Sequence, residues 1–156
     1  MTEDELRKKV IEEALTWLGT PYHIGARIKG VGADCATFIL QVFVDSGIFT
    51  DERLGNFSGD WWCHATDEKY AIHVLRHAHK VLESVCYRSL KIKPGSIVLG
   101  RVTRSKVLNH GAIVIDYPKA IHCIAPRVCL TNLSIDALWS YVPIEVFDPF
   151  QERKPE

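Results

Sequence analysis

The sequence predicts an α+β fold, with N-terminal helices packed on one antiparallel sheet drawn from the C-terminal half. Two observations carry the prediction: helical periodicity in the first fifty residues, and a change to short β-rich runs after Pro94-Gly95. No internal repeat, low-complexity run or linker divides the chain, so residues 1–156 are expected to form a single domain. A length of 156 residues suits one core, and 47% apolar with 24% charged residues is an ordinary globular balance.

The first helix is expected from about Thr2 to Leu18. Thr2 and Glu5 form a capping-box pattern, and Leu6, Val10, Ile11, Ala14, Leu15 and Leu18 recur at helical spacing as its buried face. Gly19-Thr20-Pro21 stops it. Tyr22 to Ala33, with three glycines, reads as a loop. Asp34 then reads as an N-cap for a second helix from Cys35 to about Ser46, with Phe38, Ile39, Val42 and Phe43 as its apolar face and Gly47 at C′. Thr50 to Ala65 is mostly irregular and holds Trp61-Trp62. A third helix is expected from Thr66 to about Glu83, opening on Asp67 and Glu68. Strands are expected at Ser96–Val102, Asn109–Ile115, Ala120–Ile124, Val128–Leu133 and Tyr141–Phe147, with Asp116-Tyr117-Pro118-Lys119 as a turn.

Charge narrows the function classes. Basic and acidic residues balance at 19 each, so nucleic-acid binding, which needs a basic face, is not expected. Met1 to Lys9 lacks the basic start and apolar run of a signal peptide, and no apolar stretch approaches the roughly 20 residues that span a bilayer. No membrane partner is expected, and synthesis and folding in a reducing cytoplasm are. The five cysteines, Cys35, Cys63, Cys86, Cys123 and Cys129, are odd in number and lack paired spacing, which argues against a disulfide framework.

Cys35 opens the second helix. A thiolate is the nucleophilic form of cysteine, and a helix N-terminus favours it. Asp34 opposes it by repulsion unless its oxygen turns onto the next backbone N–H groups as a cap, leaving the Cys35 N–H to help hold an oxyanion. The base is expected at His110, a polar ring at the start of the apolar run His110-Gly111-Ala112-Ile113-Val114-Ile115. If the following turn holds an odd number of loop residues, His110 and His122 share a face, and His122 can accept the ring N–H of His110 and orient it.

Trp17-Leu18-Gly19-Thr20-Pro21-Tyr22, Gly32-Ala33-Asp34-Cys35, Pro94-Gly95-Ser96-Ile97-Val98-Leu99, Asn109-His110-Gly111-Ala112-Ile113-Val114-Ile115 and His122 together resemble the NlpC/P60 family of cell-wall cysteine peptidases. The resemblance runs from about Ile11 to Ile124. Within the family, Lys29 to Cys35 is most similar to the phage and gene-transfer-agent branch. The resemblance implies a papain-like fold, hydrolysis of amide bonds in peptidoglycan stem peptides, and a triad of Cys35 (nucleophile), His110 (base) and His122 (orienting group). It implies that Tyr22 lines the site, near the oxyanion or the substrate's amino group, and that no cofactor is needed. Ala36-Thr37 stands where the family commonly has Ser-Gly, and Ser96 where it commonly has Asp.

The expected function is therefore that of a peptidoglycan amidase or endopeptidase, with catalytic residues Cys35, His110 and His122 and with Tyr22 and Asp34 at the substrate or oxyanion. The expected partners are peptidoglycan or a short peptide, with phage-tail or particle proteins as a second kind, and delivery is expected on a particle or by another export route. Two rivals are a phage-tail or particle component with little activity, and a Cys–His acyltransferase or hydrolase of another amide or ester. Arg101, Arg104 and Lys106 form a basic run before His110 that suits either a solvated loop or recognition of stem-peptide carboxylates. His73 and His77, one helical turn apart near Cys63, have a spacing that can hold zinc, but no second ligand pair follows, so no metal is expected.

Overall fold

The structure, a computed structural model, describes residues 1–49, 79–84 and 92–150. Helix α1 spans Glu3–Leu15 and helix α2 spans Cys35–Asp45. A small hairpin, β1 (Arg27–Ile28) and β2 (Gly32–Ala33), lies between them. The remaining strands are β3 (His79–Ser84), β4 (Ile97–Gly100), β5 (His110–Asp116), β6 (Lys119–Ile124), β7 (Arg127–Asn132) and β8 (Ile144–Asp148). They form one antiparallel sheet in the order β3-β8-β4-β5-β6-β7. This is the expected α+β architecture. None of the helices among the described residues is long and apolar enough to cross a membrane.

Both caps form as expected. The Thr2 hydroxyl accepts from the Glu5 amide while the Glu5 carboxylate accepts from the Thr2 amide, which satisfies two otherwise unpaired donors. Helix α1 departs from expectation in length and face. It ends at Leu15, Leu15 and Leu18 are exposed, and the buried stripe is Arg7, Val10, Ala14 and Trp17. Arg7 is buried because Asp148, at the end of β8, pairs with it at 2.6 Å, and the Pro94 carbonyl accepts from it at 2.8 Å. Helix α2 ends in the expected way, with Gly47 at φ 76°, a conformation open to glycine at little cost.

The sheet separates two apolar layers by residue parity, as the pleat requires. Ile97, Leu99, Ile113, Ile121 and Phe147 pack with Val10, Trp17, Phe38, Val42 and Phe43 of the helical side. Val98, Ala112, Val114, Ala120, Ile144 and Val146 pack on the other face with Leu133 and Trp139.

Two further expectations change. The third helix was expected to reach about Glu83, yet His79–Ser84 is a strand paired with β8. Pairing to a sheet edge overrides the local helical pattern there. The rest of that expected helix, with His73 and His77, lies outside the described residues, as do Trp61, Trp62, Cys63 and Cys86. The last strand begins at Ile144 rather than Tyr141, because 136–142 forms a chain of turns instead.

Candidate active site

The site lies where α2 begins beside the start of β5. Asp34, 8% exposed, caps α2: its Oδ1 accepts from the amides of Ala36 (3.0 Å) and Thr37 (2.8 Å), and its Oδ2 accepts from the Gly25 amide at 2.9 Å. Three amides thus disperse the carboxylate charge. Thr37 completes a second capping box through its hydroxyl, which also donates to the Ala26 carbonyl at 2.6 Å. The departure Ala36-Thr37 therefore fastens the helix start to the preceding loop.

Cys35 is the first residue of α2 and is half-buried. Its thiol donates to the carbonyl of Asn109, 3.8 Å away, the residue immediately before His110. Cys35, His110 and Tyr22 line one cleft of about 290 Å³, together with Asn109, Cys123 and Leu138. Burial, with the Asp34 carboxylate acting in the same direction, pushes the Tyr22 hydroxyl up to about 12, so it stays a donor at neutral pH. Cys123 shares the cleft, but its thiol donates to the Ala33 carbonyl and burial holds it at about 12, which leaves it inert.

His110 and His122 are buried side by side, with His110 Nε2 3.0 Å from His122 Nδ1. Burial holds both rings well below the ordinary imidazole value, so both are neutral at pH 7; for His110 the proximity of His122 acts in the same direction. The expected shared face is observed, but by a different route. The turn holds two residues, Tyr117 and Pro118, and an extra residue, Ile115, bulges out of β5 between the pairs Val114–Ala120 and Asp116–Lys119. The bulge restores equal parity and sets the two rings diagonally across the strands.

Sequence reasoning missed two residues of this site. The indole N–H of Trp139 donates to His122 Nδ1 at 3.3 Å. The Asp136 carboxylate, anchored by the Thr131 hydroxyl (2.6 Å) and the Leu138 amide (3.0 Å), favours the charged form of both histidines. Both residues follow β7 in a turn, and nothing in their local pattern points back to β6. The one available signal was that a buried tryptophan needs a partner for its N–H.

The basic run stands beside the cleft. Val102 and Thr103 line it, within a 3-10 turn at Val102–Arg104. The Asn109 side chain holds that turn, accepting from the Val102 amide (2.9 Å) and donating to its carbonyl (3.2 Å). Thr103 and Arg104 take φ of 53° and 60°, a region costly for side-chain-bearing residues. Among the described residues no three His, Cys, Asp or Glu side chains converge on a metal position.

No protein-family model matches the chain, and no curated protein matches it in sequence. Solved structures do match in fold. A lipoprotein-like NLP/P60 family protein from Staphylococcus aureus aligns over 96% of this chain with a TM-score of 0.64 and 18% identity; the chain spans 43% of that protein's length. The peptidoglycan hydrolase RipB from Mycobacterium tuberculosis aligns over 96% of this chain and 67% of its own, with a TM-score of 0.58 and 14% identity. RipD from the same organism, described as a non-catalytic NlpC/p60 domain protein adapted to peptidoglycan binding, aligns over 88% and 95% respectively, with a TM-score of 0.52 and 15% identity. The narrower resemblance to the phage and gene-transfer-agent branch draws no support from these structures. What they establish is the architecture: this chain has the papain-like NlpC/P60 fold.

Proposed function

We propose that this protein is a cysteine amidase or endopeptidase acting on peptidoglycan stem peptides. The observation that carries the reading is one cleft lined by a helix-opening cysteine and a neutral histidine, with that histidine hydrogen-bonded to a second one. Cys35 would attack the carbonyl carbon while His110 takes the thiol proton and later returns it to the leaving amine. The tetrahedral oxyanion would rest on the Cys35 N–H, with the Tyr22 hydroxyl as a second donor. Water, activated by His110, would then cleave the thioester. His122 orients His110, and Asp136 steadies the imidazolium that forms during transfer. The basic run at Arg101, Arg104 and Lys106 suits recognition of stem-peptide carboxylates. Access to a cell wall would come from a particle or another export route.

The test is release of soluble muropeptides from purified peptidoglycan by the wild-type chain and by Cys35→Ala. Loss of turnover in a variant of unchanged thermal stability is expected; equal turnover by the variant refutes the assignment. A second reading takes its support from RipD, whose fold is shared and whose description is non-catalytic. On that reading the chain binds peptidoglycan without cleaving it, and wild type would pull down with the wall while releasing nothing.

A further inference from the structure

We propose that Trp139 is a positioning residue that selects the tautomer of the histidine pair, so that the lone pair of His110 falls on Nδ1. The inference deepens the reading of His110 as the base. His122 Nδ1 lies 3.0 Å from His110 Nε2 and 3.3 Å from Trp139 Nε1. An indole N–H can only donate. Nδ1 of His122 therefore presents its lone pair and carries no proton. The contact with His110 must then run from an N–H at His110 Nε2 to that same lone pair. A neutral imidazole has one N–H, so Nδ1 of His110 is left as the basic nitrogen.

His122 alone does not make this choice, since either ring can donate to the other. With the protons reversed, His122 Nδ1–H would face the indole N–H, two donors set against each other at 3.3 Å. The indole breaks this symmetry, and packing holds it in place. Trp139 is fully buried, with its ring 5.2 Å from that of His110. Gly100, paired with His110 across β4 and β5, leaves room for it: a Cβ there would come within 3.0 Å of Trp139 Cζ3. The Trp139 backbone amide donates to the Asp136 carbonyl at 3.0 Å, which ties the indole to the turn that also supplies the neighbouring carboxylate.

The test is a long-range proton–nitrogen correlation spectrum of the full chain labelled with 15N-histidine at pH 7. In the wild type, Nδ1 of both rings should be pyridine-like and Nε2 of both pyrrole-like. Trp139→Phe keeps an aromatic ring and removes the donor. Its spectrum should show both rings averaging between tautomers, and kcat on cell wall should fall about two- to fivefold at unchanged KM. A pyrrole-like Nδ1 at His122 in the wild type overturns the proposal, as does a spectrum that Trp139→Phe leaves unchanged. The wild-type spectrum decides even if the variant fails to fold. Because it is read without turnover, its outcome is separate from that of the Cys35→Ala experiment.

Discussion

Acidification should destabilise this protein well above the pH at which carboxylates titrate, and the buried histidine pair sets the size of the effect. His110 is 5% exposed and His122 is 2% exposed, and burial holds both folded-state values below the ordinary 6.5. The unfolded chain therefore binds protons that the native chain refuses. The corresponding stability is fully present above pH 6.5 and is lost as the pH falls toward the depressed folded values. For a ring that is neutral in the native state down to pH 5, the loss between pH 7 and pH 5 is about 2 kcal/mol, or about 4 kcal/mol for the pair. Urea unfolding at pH 7, 6 and 5 measures it directly. His122→Asn removes one titrating ring, and its loss over the same interval should be about 2 kcal/mol smaller. A wild-type stability flat across this range would mean that the native pair already carries a proton, as in a resting thiolate–imidazolium site, and the neutral-pair reading would fail. Equal losses in wild type and His122→Asn would remove His122 from the account.

Three other substitutions follow from the packing. Arg7→Ala would leave Asp148, 2% exposed, as a buried carboxylate without its cation, and should cost about 3–5 kcal/mol in denaturant unfolding; a loss under 1 kcal/mol would show the pair to be dispensable. Asn109→Ala would strip both hydrogen bonds from Val102 and let the strained Thr103-Arg104 turn relax. Stability should fall by about 1–3 kcal/mol, and KM for cell wall should rise with the Thr103 side of the cleft released. Gly100→Ala would press on the Trp139 ring and should cost about 1–3 kcal/mol by overpacking, with a changed near-UV circular dichroism signal; an unchanged Tm would mean that the ring has room to move.

Much of this molecule was legible in the sequence because the deciding interactions are local. Thr2 and Glu5, and Asp34 with its following amides, meet within one helical turn, so residue types at fixed spacing determine both helix starts. Continuous burial along most of β5 and β6 likewise follows from the apolar runs, which placed His110 and His122 on strands that could pair. The Cys35–His110–His122 grouping was expected from the helix start and strand parity, and the family resemblance implied the same three residues. What only the tertiary structure decided involves groups far apart in the chain. Arg7 joins Val10 and Ala14 in the buried stripe, where amphipathic spacing expected only apolar residues, because a carboxylate 141 residues away cancels its cost of burial. The parity that brings the two histidines together comes from a one-residue bulge at Ile115, which no local pattern encodes. Trp139 and Asp136 reach His122 only after β7 has turned back past β6. Local propensity operates through neighbours in sequence, whereas pairing of buried charges, strand register and the direction of a single N–H are set by whichever distant groups the folded chain brings within hydrogen-bonding distance.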